Sequence, residues 1–95
     1  MKQYWIYILS NENHTIFYTG ITNDLIKRVY THKHKLIEGF TSRYSIGTLL
    51  YFESTSDPKV AIEREKQIKK YSQKKKIKLI LTTNPSMKDL YDEIA

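Results

Sequence analysis

The chain has 95 residues, enough for one hydrophobic core but too few for two domains with a deep cleft, so one domain over 1–95 is expected. The absence of cysteine excludes disulfides and thiolate zinc sites. No apolar stretch is long enough to span a bilayer and the N-terminus is not typical of a secretion signal, which predicts a soluble, cytoplasmic protein without a membrane partner.

Sixteen Lys and Arg against ten Asp and Glu give a net charge of +6, and the excess is clustered. Basic residues group in the first predicted helix and again further along: Lys27, Arg28, Lys33, Lys35, Lys66, Lys69, Lys70, Lys74, Lys75, Lys76 and Lys78. Tyrosines that can stack on bases lie among them, which favours nucleic acid as the partner. The alternative is a solvated lysine surface that keeps the protein soluble.

The first two predicted elements form a β-hairpin. Tyr4–Ser10 is apolar on both faces, which predicts a strand covered on both sides, and 16–21 is its partner across a polar turn. A symmetric two- or four-residue turn places Tyr18 directly opposite Tyr7 on one face. Cross-strand aromatic pairs commonly stabilise sheets, so the pair alone favours a structural role.

A helix is predicted next, from Asp24 to Ile37, with Gly39 ending it. A loop over 40–47 and a third strand over 48–52 should follow. The order so far is strand, strand, helix, strand.

The rest of the chain is predicted to be helical. Asp57 and Pro58 start a second helix that runs to about Tyr71, and Ser72 caps a third. Asn84 and the proline after it should start a last amphipathic segment. Three strands among four helices predict an α+β fold, a small antiparallel sheet with helices packed on it.

Two side-chain groups stand out chemically. Arg28 and His32 are spaced i and i+4, so both project from one side of the first helix, where an arginine can bind phosphate and a histidine can move a proton. Glu65 lies beside the face that the second helix turns to the sheet, so it needs an ion pair, a hydrogen bond or a divalent cation. Each group also has an ordinary structural interpretation, and for Glu65 an ion pair is the favoured one.

Together with the two phenols these side chains supply what phosphodiester hydrolysis needs: a proton acceptor, a cation for the phosphate, and a ligand for a metal that stabilises the leaving oxygen. The start of the first helix, with Asn23 before it, offers backbone N–H groups to an anion.

These residues match a known pattern. The sequence reads W-I-Y at 5–7, Y-T-G at 18–20, T-N-D-L-I-K-R-V-Y-T-H at 22–32, A-I-E-R-E-K-Q-I-K-K at 61–70 and N-P-S-M-K-D-L-Y at 84–91. With this spacing the chain resembles the GIY-YIG nuclease superfamily, and within it the small stand-alone bacterial domains. The resemblance implies a three-stranded antiparallel sheet flanked by helices.

The resemblance also implies roles for single residues. Tyr7, helped by Tyr18, would accept the proton of the attacking water, Arg28 would hold the scissile phosphate, and His32 would orient water or shuttle a proton. Glu65 would be the single acidic ligand of Mg(II) or Mn(II). As the metal ligand, Glu65 is preferred to Glu63, whose side chain should point to solvent. Asn84 matches a late asparagine of the family, although its spacing from Glu65 is long.

Three positions depart from the family pattern. Trp5 and Thr19 replace residues without a catalytic side chain, whereas Ile21 stands where repair nucleases of the family have a lysine.

The residues expected to contact nucleic acid are Asn23, Lys27, Lys33, Arg43, Tyr44 and Lys69.

The expected function is that of a metal-dependent endonuclease that hydrolyses DNA, in repair or recombination. One alternative is a non-catalytic nucleic-acid-binding module that retains the fold. Another is a protein-interaction adaptor that uses the amphipathic segment 87–94.

Overall fold

The structure, a computed structural model, describes residues 2–95 and contains one three-stranded antiparallel sheet flanked by helices. The strands are β1 (Tyr4–Ser10), β2 (Phe17–Thr22) and β3 (Thr48–Thr55), and the sheet order is β2-β1-β3. The helices are α1 (Leu25–Lys33), α2 (Phe40–Arg43), α3 (Pro58–Lys69), α4 (Gln73–Thr83) and α5 (Tyr91–Ile94). The predicted α+β fold is confirmed, with one short helix, α2, added to the predicted order.

The central strand β1 has a hydrophobic cluster on each face, as its apolar sequence predicts. On one face Ile6 and Ile8 pack with residues of α3 and α4, including Ala61, Ile68 and Ile80. On the other face Tyr7 and Leu9 pack with residues of α1 and the C-terminal segment: Leu25, Val29 and Leu90. Because strand side chains alternate between faces, Tyr7 belongs to the α1 face.

The hairpin register differs from the predicted one by two residues. Tyr18 lies opposite Leu9, and Tyr7 lies opposite Gly20. The connection is longer than a symmetric tight turn because the side chain of Asn11 organises it: Asn11 Oδ1 accepts hydrogen bonds from the backbone N–H groups of Thr15 (2.8 Å) and Ile16 (3.0 Å). A shift of two keeps every side chain on its predicted face.

The first helix is shorter than predicted. It ends at Lys33, and Lys35 takes a left-handed conformation with φ of 55°, so the chain turns before Ile37. Gly39, with φ of 127°, precedes α2 and does not end the first helix. The predicted loop therefore contains a helical turn, in which Ile46 N donates to Thr41 O at 2.9 Å.

The prediction that Asn84 starts a helix is wrong. Asn84 ends α4, and its buried side chain donates to Leu50 O (3.0 Å) and Lys88 O (2.9 Å). These bonds hold the C-terminal segment against β3, and Leu90 is buried there. The apolar face of the segment is thus used inside the domain, which removes the basis of the adaptor hypothesis. No helix in 2–95 is long and apolar enough to cross a membrane.

Candidate active site

Tyr7 and Tyr18 lie side by side on the α1 face of the sheet, at its β2 edge. Their ring centroids are 6.4 Å apart. The Tyr7 ring extends over Gly20, where a β-carbon would lie only 2.5 Å from Tyr7 Cζ. Glycine at this position therefore makes room for the phenol above the edge strand, and the phenol is almost fully buried, at 2 % exposure.

His32 reaches the same place from α1. Its ring centroid lies 6.2 Å from that of Tyr7 and 5.6 Å from that of Tyr18. Nε2 is 3.4 Å from the Tyr7 hydroxyl, and Nδ1 is 3.0 Å from the hydroxyl of Thr41 in α2. The imidazole is buried, as its place in the apolar register of the helix predicts. It is therefore held at both nitrogens by hydroxyl groups.

Arg28 lies one turn before His32 and is exposed. It lines a cleft of about 370 Å³ at the start of α1, together with Asn23 and Lys27. Three of the predicted phosphate or nucleic-acid contacts thus share one concave surface. At this helix end Asp24 Oδ1 accepts from Lys27 N at 3.1 Å, so that one backbone N–H is already used within the chain.

Glu65 approaches from α3, on the opposite face of the sheet. Its side chain is 13 % exposed, and Oε2 pairs with Lys69 Nζ at 2.7 Å. The carboxylate is thus half-buried, as its helical register predicts, whereas Glu63 is exposed. The i,i+4 pair is the structural ion pair that the sequence favours for this carboxylate.

Burial and neighbouring charges perturb the pKa values of the site. Burial raises the pKa of the Tyr7 phenol well above its ordinary value; Tyr18 and Glu65 raise it further, and Arg28 opposes them. Burial, and then the charge of Arg28, lowers the pKa of His32. The hydrogen bond to Glu65 raises the pKa of Lys69. Since β2 is an edge strand, Tyr18 and the Tyr7 ring above Gly20 lie towards the free edge of the sheet.

The remaining predicted contacts are placed differently. Lys33 pairs with Asp89, and its ammonium lies 5.1 Å from the centroid of the Tyr91 ring, so it ties α1 to the C-terminal segment. Arg43 and Tyr44 are exposed at the end of α2. Asn84 is 1 % exposed and its side chain is hydrogen-bonded to the backbone, so its role is structural.

The side chains suit a metal that keeps most of its ligands as water and phosphate. Among residues 2–95 no three His, Cys, Asp or Glu side chains cluster closely enough to hold a metal. Mg(II) is commonly bound through one or two carboxylates plus substrate phosphates, and Glu65 is a half-buried carboxylate paired with the exposed Lys69. A hard divalent ion such as Mg(II) or Mn(II) could use Glu65 as its one protein ligand only together with substrate and water, and only if Lys69 releases the carboxylate.

Comparison with known proteins shows the family of the chain. Residues 3–78 match the model of the GIY-YIG catalytic domain. The chain belongs to the GIY-YIG family. It is thus a member of a nuclease family, as its sequence pattern indicates.

The relatives are small GIY-YIG-type proteins. The chain is 32 % identical over 80 residues to a UPF0213 protein of Staphylococcus saprophyticus, covering 84 % of this chain and 96 % of that protein. A UPF0213 protein of Clostridium perfringens is 34 % identical over 76 residues, 80 % of this chain and 81 % of the relative. The solution structure of a UPF0213 protein from Bacillus halodurans has the same fold, with a TM-score of 0.54, 24 % identity and 86 % of each chain covered.

Two parts of the site do not follow from the sequence pattern. Thr41 contacts His32 from a stretch predicted to be loop, and no spacing rule connects the two residues. Gly20 accommodates the Tyr7 ring, and only the correct hairpin register reveals this. The organising side chain of Asn11 is the signal for that register, because an asparagine that starts a turn can accept backbone N–H groups further along it.

Proposed function

We propose that the protein is a divalent-metal-dependent endonuclease that hydrolyses phosphodiester bonds of DNA. The observation that carries the proposal is the convergence of Tyr7, Tyr18 and His32 at one sheet edge, with the exposed Arg28 one turn before His32. The charge of Glu65 contributes to the raised pKa of the Tyr7 phenol. Membership in the nuclease family supports it. A role in DNA repair or recombination is the broader setting that we propose.

The proton of the attacking water passes to Tyr7, directly or through the more exposed Tyr18. A stored phenolate is an unsuitable base here, because burial raises the pKa of Tyr7. Tyr7 instead takes the water's proton while its own proton moves to His32 Nε2, 3.4 Å away. His32 suits this role because its lowered pKa keeps it neutral before the reaction.

The water oxygen then forms the new bond to phosphorus as the bond to the leaving oxygen breaks, and the leaving oxygen takes a proton from solvent. Arg28 holds the phosphate through its planar guanidinium, which can donate two parallel hydrogen bonds. When bound at Glu65, the metal would neutralise charge that develops on the phosphate and leaving oxygens. Asn23 and Lys27 extend the binding surface along the cleft beside Arg28.

A nicking assay tests the proposal. Supercoiled plasmid is incubated with Mg(II) or Mn(II) and the wild-type protein, Arg28→Ala or Glu65→Ala. We expect nicking by the wild type and at least a 100-fold loss in each variant, in line with the effect of removing charge-stabilising groups. Equal nicking by all three proteins would point to a contaminant and overturn the assignment. Single-stranded, flap and junction DNA, and RNA of the same sequences, define the substrate class.

A second candidate is a non-catalytic nucleic-acid-binding module. The ion pair between Glu65 and Lys69 favours it, because the ammonium already neutralises the one carboxylate suited to a metal. Such a module would bind DNA in a salt-dependent way and would not cleave it whichever divalent ion is added. The Glu65→Ala variant would bind DNA as well as the wild type. Mn(II)-dependent cleavage that is lost in Glu65→Ala would exclude it.

A further inference from the structure

The imidazole of His32 has a defined hydrogen-bond partner at each nitrogen. Nδ1 lies 3.0 Å from Thr41 Oγ1, and Nε2 lies 3.4 Å from the Tyr7 hydroxyl. All three side chains are buried, at 5 %, 6 % and 2 % exposure for His32, Thr41 and Tyr7. These two hydroxyl groups therefore control which nitrogen carries the proton, because little water reaches the ring.

The chemistry of the two partners indicates the tautomer. A phenol is more acidic than an aliphatic alcohol and is the better hydrogen-bond donor, so Tyr7 donates to Nε2. The proton of neutral His32 is then on Nδ1, and the Thr41 hydroxyl oxygen accepts it. Only this arrangement leaves a lone pair on Nε2, which the proton relay requires.

We propose that Thr41 is a positioning residue that holds His32 in the Nδ1-H tautomer, with Nε2 free to accept a proton from Tyr7. The inference rests on the proposed nuclease mechanism for its catalytic meaning, but the tautomer itself is a property of the protein without substrate.

The backbone around Thr41 is anchored in a way that suits this role. Thr41 lies in the four-residue helix α2, and its carbonyl accepts a hydrogen bond from Ile46 N at 2.9 Å. Ile46 is fully buried in the cluster on the α1 face. This short helix therefore presents the hydroxyl from a fixed backbone, and its exposed residues are not needed for the contact.

The experiment is a long-range ¹H–¹⁵N NMR correlation of His32, recorded above pH 7 without DNA or metal on the wild type, Thr41→Val and Thr41→Ser. Valine has the shape of threonine but cannot accept the Nδ1 proton, whereas serine can. We expect the Nδ1-H tautomer in the wild type and Thr41→Ser. We expect the Nε2-H tautomer in Thr41→Val, because the ring then donates to Tyr7 instead.

Single-turnover nicking should follow the tautomer. Thr41→Val should be slower by about 10- to 100-fold at saturating DNA, with unchanged DNA affinity, because a blocked relay removes part of general-base catalysis. Thr41→Ser should retain most of the rate. The groups facing His32 that also titrate or carry charge, Tyr7, Tyr18 and Arg28, are the same in all three proteins.

An Nε2-H tautomer in the wild type, or an unchanged tautomer in a folded Thr41→Val, would overturn the inference. If Thr41→Val does not fold, the wild-type tautomer alone still decides whether Nε2 is free. Failure of the proposed function looks different. The tautomers would then be as expected while no protein nicks DNA.

Discussion

The hydroxyl end of Tyr7 lies over the backbone of Gly20, in the volume that a β-carbon on Gly20 would occupy. Tyr7 thus reaches from the central strand β1 over the edge strand β2, and its phenol lies towards the free edge of the sheet. Gly20 is needed here for space, and its missing side chain is thus part of the site.

Gly20→Ala should destabilise the domain by about 1–3 kcal/mol, as overpacking of a buried site does, and should lower nicking because the Tyr7 ring must move. The free energy of unfolding in urea measures the first effect. The matched background is Tyr7→Leu, which replaces the phenol with a shorter aliphatic side chain and so removes the atoms that face Gly20. If Gly20→Ala costs as much in that background as in the wild type, the ring is not the cause of the penalty.

A second stability prediction concerns the same strand. The hydroxyl of Thr19 is buried and has no hydrogen-bond partner within residues 2–95. Thr19→Val should therefore raise the free energy of unfolding by about 1 kcal/mol, because valine has the same shape without the unsatisfied group. Thr22→Val is the control, since Thr22 Oγ1 accepts from Asp24 N at 3.1 Å. That variant should lose stability, and a gain in both would refute the explanation.

Two lysines of α1 should separate DNA binding from folding. Lys27 lines the cleft beside Arg28, whereas Lys33 pairs with Asp89. Lys27→Gln should weaken DNA binding and reduce the slope of log affinity against log salt by about 1, with stability unchanged. Lys33→Gln should leave that slope unchanged and cost about 1 kcal/mol of stability. The reverse pattern would show that Lys33, not Lys27, contacts phosphate.

The pH dependence of cleavage separates a relay from a phenolate base. Neutral His32 is the proton acceptor, so activity should be lost as the pH falls below about 6.5, through the lowered pKa of His32. Above neutral pH the single-turnover rate should be level. A phenolate base would instead give a rise of about tenfold per pH unit, continuing beyond pH 10 because burial raises the pKa of Tyr7. Such a rise would contradict the relay.

Much of this fold and site follows from local rules. Three helix starts can be predicted from the sequence because Asp24, Asp57 and Ser72 each accept a hydrogen bond from a backbone N–H in the first turn. The predicted hairpin register is wrong by two residues, but Tyr7 and Tyr18 still lie on one face because strand side chains alternate with a period of two. The half-buried position of Glu65 follows from helical spacing in the same way.

Other parts depend on contacts that local rules do not contain. The sequence at Asn84 predicts a helix start. In the structure Asn84 ends α4 instead, and its side chain donates a hydrogen bond to the distant Leu50 O. The register depends on how the Asn11 side chain closes the turn. Thr41 meets His32 only after α2 folds back onto α1. The Asn84 and Thr41 contacts are tertiary hydrogen bonds, whereas the Asn11 bonds are local to the turn.

We propose that Glu65 serves the chemistry through a metal, and two glutamates of α3 allow a matched test. Glu65 is half-buried and its charge contributes to the raised pKa of Tyr7, whereas Glu63, two residues away, is exposed. The measurement is the single-turnover rate of plasmid nicking against Mn(II) concentration for wild type, Glu65→Gln and Glu63→Gln at saturating DNA. We expect Glu63→Gln to match the wild type and Glu65→Gln to be at least 100-fold slower at every concentration. Equal rates for Glu65→Gln and Glu63→Gln would contradict the account.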